Sequence, residues 1–151
     1  MDAPQRPILV VEDSEEDFDT IQEAARRSGV RNRLVWATDA DIARSLLPPG
    51  GGDAYAFMLL DSNLPGTDGR TFLQELRQDP DYRRLPAVVF TTSVNPRDCD
   101  AFYEAGANAY HIKSVRFDEC MSTLAGIFQY WLNLAVLPDK IRAGRSGPGH
   151  A

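Results

Sequence analysis

The chain has 151 residues, 43% of them hydrophobic, two cysteines and a formal net charge of -6 at pH 7. A chain of this length forms one domain that buries about two-thirds of the surface its unfolded form exposes. The acidic balance excludes direct binding to nucleic acid or an anionic membrane, which needs clustered Lys and Arg, and no run approaches the ~18 apolar residues of a membrane span.

The first apolar run, "PILVV" (7–11), is a predicted strand that ends in the acidic stretch "EDSEED" (12–17). Asp13 with Glu16 reads as a helix start, Phe18, Ile21, Ala24 and Ala25 repeat at helical spacing, and Gly29 is a natural stop. "RLVWA" (33–37) is the second strand, followed by a cap signal at Thr38 with Asp41 and a helical rhythm in Ile42, Ala43, Leu46 and Leu47. "PPGGGD" (48–53) lacks the Lys and Ser/Thr of a phosphate loop and reads as a flexible connector. "AYAFMLL" (54–60) is the third strand, and Phe72, Leu73 and Leu76 mark the helix after it. "PAVVFT" (86–91) precedes a helix that Asn95 caps and Pro96 begins, with Gly106 ending it; "AYHI" (109–112) is the fifth strand. Its His111 reads as a packed or surface residue rather than a ligand, and His150 lies in the tail. Near-continuous apolar strands alternating with helices predict an α/β, doubly wound, five-stranded parallel sheet. Cys99 and Cys120 make neither a metal pair nor a disulfide framework, and the N-terminus has no leader pattern; both point to the cytoplasm.

In such sheets the site lies beyond the carboxyl ends of the strands, where strand order reverses. Those ends carry Glu12 and Asp13, then Asp61, Thr91 and Lys113. Three neighbouring carboxylates repel one another unless protons or a cation compensate them. Oxygen donors without Cys or a suitable His favour Mg²⁺, with Asp13 and Asp61 as direct ligands and Glu12 holding a metal-bound water. A carboxylate in that setting can attack phosphorus, with Lys113 and the Thr91 hydroxyl stabilising the phosphoryl oxygens.

Taken together and in order, "VVEDSEED", "LLDSNLPGTDG", "VVFTTS" and "AYHIKS" resemble the receiver domains of two-component response regulators, the CheY-like fold. The resemblance covers roughly residues 6 to 130 and implies the flavodoxin-like strand order 2-1-3-4-5. It implies that Asp61 is the phosphoacceptor, that Glu12 and Asp13 are the metal-binding acid pair, and that the main-chain carbonyl of Asn63 completes the site. Thr91 is then the switch hydroxyl, Lys113 the phosphate-pairing lysine and Tyr110 the aromatic that changes rotamer. Such a protein is not an enzyme but a phosphoacceptor that assists its own phosphorylation and dephosphorylation. The family usually has Pro after this lysine, often through a cis bond; here Ser114 follows Lys113, so either that strain is kept or the loop has another shape.

The apolar rhythm of "FDECMSTLAGIFQYWLNLAVLP" continues to Leu137, beyond where a receiver's last helix ends. Phe117, Met121, Leu124, Phe128, Trp131 and Leu132 exceed what one helix buries against one small sheet, so an exposed stripe is expected. This tail and the Lys-Ser step resemble the single-domain regulators that partner phytochrome-type sensor histidine kinases. That resemblance implies a homodimer through the C-terminal helix region, with Phe128, Tyr130, Trp131, Leu132 and Leu134 at the interface. Residues 6–138 are the expected receiver domain with an extended last helix; 139–151, rich in Gly and charge, are an expected disordered tail that leaves no room for an output domain. Two rivals remain. A haloacid-dehalogenase-type phosphohydrolase needs an acid two residues past its nucleophile, where Asn63 stands, and a phosphate-independent dimeric adaptor is disfavoured by the intact acidic set.

Overall fold

Strands that are apolar on both sides have to be covered on both sides, and this requirement organises the chain. A computed structural model describes residues 5–138. Its elements are β1 (Ile8–Val11), α1 (Glu15–Arg27), β2 (Leu34–Ala37), α2 (Ala40–Ser45), β3 (Met58–Leu60), α3 (Gly69–Gln78), β4 (Ala87–Thr91), α4 (Pro96–Ala105), β5 (Ala109–Ile112) and α5 (Phe117–Gln129). A π-helical turn, Tyr130–Leu134, extends α5. All strand pairs are parallel and the sheet order is β2-β1-β3-β4-β5, as expected.

Side chains alternate across each strand, so the sheet makes two cores. Leu9 and Val11, Met58 and Leu60, and Ala87 and Val89 face α2, α3 and α4 through Ala43, Phe72, Leu73 and Phe102. Ile8 and Val10, Leu59, and Val88 and Phe90 face α1 and α5 through Phe18, Ile21, Leu124 and Phe128.

Several boundaries differ from the sequence reading for local reasons. Ser14, not Asp13, caps α1: its side chain accepts from the Asp17 N–H at 3.2 Å, leaving the Asp13 carboxylate outside the helix. Asp39, not Thr38, caps α2, accepting from the Ile42 N–H at 2.8 Å. β3 is shorter than 54–60, because Ala54 closes a turn onto Gly51 and Tyr55 donates its hydroxyl to Leu46 O. The last helix stops before Leu137: the Ala135 N–H bonds back to Tyr130 O at 2.7 Å and Ala135 itself is extended. The chain then returns to the core, where Leu137 packs and Arg6 donates to Pro138 O. No peptide bond among the described residues is cis, so Lys113-Ser114 takes the other loop shape. The expected tail at 139–151 lies outside the described residues.

Arg77 joins the segments that flank the β4 and β5 starts. It donates to Gly106 O (2.9 Å), Leu85 O (2.8 Å), Arg83 O (3.1 Å) and the Asn108 side chain, which in turn accepts from the Ala87 N–H. Arg77→Met keeps the apolar stem and leaves these carbonyls short of donors, at a cost of about 2–3 kcal/mol. Urea unfolding should show a lower midpoint at unchanged slope; an unchanged midpoint would show that water replaces the guanidinium at no cost.

Candidate functional site

Parallel pairing delivers each site residue to the same end of the sheet. The ladder continues one step past the strands: the Glu12 N–H donates to Ala37 O (2.9 Å), Asp61 N–H to Val11 O (3.0 Å) and Lys113 N–H to Thr91 O (2.6 Å). The turn after Asp61 closes tightly, since a Cβ on Gly69 would stand 2.5 Å from Asp61 O; only glycine fits there.

Carboxylate oxygens of Glu12, Asp13 and Asp61 lie within 4.8 Å of one another, with Glu12 and Asp61 buried and Asp13 exposed. The buried Lys113 ammonium answers them, donating to Glu12 Oε1 (2.6 Å), Asp17 Oδ2 (2.9 Å) and Asp61 Oδ2 (3.3 Å). Glu12 Oε2 accepts from the Ser14 N–H at 3.1 Å. Burial pushes the Glu12 carboxyl up to about 7, against the pull of Lys113 and with a further push from Asp61. The Lys113 ammonium is held above its ordinary range: its bonds to Glu12 and Asp17 and the charge of Asp61 together outweigh the desolvation that opposes them. One ammonium does not neutralise four carboxylates, and every donor is a hard oxygen, so the set fits a divalent cation such as Mg²⁺.

Thr91 is fully buried and its Oγ1 shares a 2.5 Å hydrogen bond with Ser62 Oγ. The Ser93 N–H points at the same oxygen (3.3 Å), the Ser93 hydroxyl bonds Asp98 on α4 (2.5 Å), and Tyr110 donates its hydroxyl to Ser93 O (3.0 Å). Tyr110 thus reaches the loop after β4 rather than the acidic cluster. The Asn63 N–H lies 3.4 Å from Asp61 Oδ1 on the solvent side.

The family model for the response regulator receiver domain matches residues 8–125. The chain belongs to the response regulator receiver family. Response regulator Rcp1 of Synechocystis sp. is 37% identical over 139 residues, covering 89% of this chain and 95% of Rcp1. The crystal structure of the phosphorylated cyanobacterial phytochrome response regulator RcpA aligns with a TM-score of 0.82 at 34% identity, covering 90% of this chain and 100% of RcpA. The Mn²⁺-bound form of Rcp1 gives 0.78 at 36% identity, covering 89% and 99%.

As a receiver, the chain brings together Glu12, Asp13, Asp61, Thr91 and Lys113 from four strand ends. Sequence reasoning missed Asp17, which stands one helical turn past Asp13 and looks there like an ordinary first-turn acid. It also missed Ser62, whose hydroxyl has meaning only once β4 is alongside. The C-terminal aromatics are split differently from the expected stripe. Phe128 is 1% exposed and Leu124 is fully buried, both inside the α1/α5 core, so Phe128 offers no surface to a second copy. Trp131 and Leu132 are half-buried, Trp131 packing on Phe57, whereas Tyr130 and Leu134 are 51% and 64% exposed. His111 is half-buried on β5 and burial lowers its pKa, as suits a packed residue. Among the described residues no helix is long and apolar enough to cross a membrane.

Glu12 gives the site a pH signature. Its folded pKa, about 7, lies above the ordinary 4.5, so the folded state binds the proton more tightly. The stability this contributes is complete below about pH 4.5 and lost as pH rises through about 7. Without divalent cation, wild type should lose on the order of 3 kcal/mol relative to Glu12→Gln over that window, read by urea unfolding at several pH values. A pH-independent difference would mean that Lys113 fully offsets burial.

Proposed function

We propose that the protein is a single-domain response regulator whose Asp61 accepts a phosphoryl group from a sensor histidine kinase. The observation that carries this reading is the position of Asp61: a buried carboxylate with the Lys113 ammonium 3.3 Å from Oδ2 and Glu12 and Asp13 beside it. An Asp61 oxygen attacks phosphorus, the bond from phosphorus to the donor's imidazole nitrogen breaks, and its electron pair stays on that nitrogen. Glu12, Asp13, Asp61 and the Asn63 carbonyl would hold Mg²⁺, which supplies positive charge against the phosphoryl oxygens. Lys113 pairs with one of those oxygens, and Thr91 gives its hydroxyl proton to another as a hydrogen bond. Phosphorylation adds roughly -1.5 to -2 charge, which draws Thr91 from Ser62 and frees the space into which Tyr110 turns.

The acidic surface and the resemblance to RcpA and Rcp1 support a protein partner, a phytochrome-type kinase being the specific expectation, and a cytoplasmic setting. Output is by protein contact, or the protein passes phosphate onward as a shuttle or sink. A homodimer through the C-terminal region would use Tyr130 and Leu134, with Trp131 and Leu132 at the edge, since their apolar surface faces outward.

Purified protein treated with acetyl phosphate should gain one phosphoryl group by intact mass, only with Mg²⁺ present and not in Asp61→Asn. A folded, metal-binding protein that gains no mass would favour the phosphate-independent adaptor. In sedimentation equilibrium, Tyr130→Glu with Leu134→Glu should weaken self-association at least tenfold; dimers that persist unchanged would place the interface elsewhere.

A further inference from the structure

The acidic turn after β1 is clamped by a side chain from the neighbouring edge strand. Trp36 on β2 donates its indole N–H to the main-chain oxygen of Glu12 at 2.6 Å. Its ring lies flat on Phe18 of α1, with centroids 4.4 Å apart and planes 4° from parallel. The stacking fixes the ring, and the ring fixes where the N–H points.

From this geometry we infer that Trp36 is a positioning residue for the metal-binding acid pair, acting through the peptide that joins Glu12 to Asp13. This rests on the proposed cation site. The Glu12 residue is tethered at four points: its N–H to Ala37 O, its carbonyl to Trp36, and its two carboxylate oxygens to Lys113 and the Ser14 N–H. Asp13 differs, because its carboxylate is exposed and does not serve as the helix cap. The direction in which Asp13 leaves the backbone therefore depends on the orientation of the peptide before it. The oxygen of that peptide is the one Trp36 holds. A ligand whose backbone is already oriented gives up less freedom when it binds, so the indole bond should appear as cation affinity. Outer partners of this kind matter in metal sites generally, usually by fixing a ligating side chain; here the fixed group is main chain.

Position within the sheet supports the assignment. Trp36 pairs in register with Val10, two residues before Glu12, so a side chain from β2 must reach along the strand to meet the Glu12 carbonyl. Trp36 does both at once, its N–H meeting the Glu12 carbonyl while its ring covers Phe18. Phenylalanine would also stack on Phe18, so the stack alone does not call for the N–H.

Mn²⁺ serves as the probe, with free ion counted by electron paramagnetic resonance on the full-length protein. Wild type should bind one ion, Asp13→Asn should bind far more weakly, and Trp36→Phe should bind about five-fold more weakly, the equivalent of one ordinary hydrogen bond. Trp36→Phe binding as tightly as wild type would overturn the inference while leaving the site intact. No binding by wild type would remove the cation site itself, and the role of Trp36 with it.

A second readout does not depend on that variant folding. The sequence holds two tryptophans, so Trp131→Phe leaves Trp36 as the sole tryptophan, excited selectively at wavelengths where tyrosine does not absorb. Its fluorescence should change on adding Mn²⁺ or Mg²⁺, with the same midpoint as binding, and should stay constant in the double variant with Asp13→Asn. Emission that ignores a cation known to bind would also count against the inference.

Discussion

A single ammonium group inside an acidic cluster is the interaction on which this structure turns. Glu12 and Asp61 are buried at the ends of strands that are otherwise entirely apolar, and an unpaired charge in such a place costs several kcal/mol. Lys113 meets both, and Asp17 takes its remaining donor. Removing one member of a buried pair typically costs more than the pair contributes, because the partner is left uncompensated. The lysine therefore ties β5 to β1 and β3 across the top of the sheet. Yet it leaves net negative charge behind, and that residue of charge is what makes the site receptive to a divalent cation.

Everything below that edge works to bring these groups together. The cluster comes from positions 12, 13, 17, 61 and 113, separated in sequence by as much as 101 residues and brought to one edge by parallel register and the start of α1. β2, β1 and β4 hand a hydrogen bond past their ends to Glu12, Asp61 and Lys113, so the geometry of the site is the geometry of the ladder extended by one step. Local choices agree with this. A serine cap on α1 leaves Asp13 outside the helix, glycine at 69 lets α3 begin against Asp61 O, and the two covered faces hold the sheet rigid beneath the charges.

Much of this was legible in the sequence, for definite reasons. Apolar runs bounded by turns mark strands, alternation with helices dictates a parallel sheet, and the parallel sheet fixes where its functional edge lies. Asp61 after "FMLL" could be singled out because buried strands rarely end in a charge without cause. What stayed hidden depended on distance across the sheet or on competition between neighbours. Ser14 and Asp13 both make acceptable caps, and only the folded backbone, in which Ser14 accepts from the Asp17 N–H, distinguishes them. Asp17 looks like a first-turn acid until Lys113 is placed 2.9 Å away. Phe128 looked like surplus apolar surface because periodicity along α5 does not reveal that α1 stands beside it; the two helices together bury what one could not.

The hydroxyl groups form a second layer with a different physical character. Around Lys113 the bonds are charge-assisted and strong; from Ser62 to Thr91, Ser93 and Tyr110 they are neutral and each contributes about 1 kcal/mol net. A new multiply charged group at Asp61 competes for Thr91 with charge-assisted bonds of roughly twice the strength, so on the proposed reading the neutral chain is the part that yields. Its far end is held by Asp98 through Ser93, and Asp98 is on α4. Rearrangement is thereby directed away from the rigid acidic cluster and toward the α4 and β5 surface. A site that must keep its ligands fixed while reporting a change elsewhere needs this separation: strong bonds where geometry has to persist, and exchangeable ones where it has to give way.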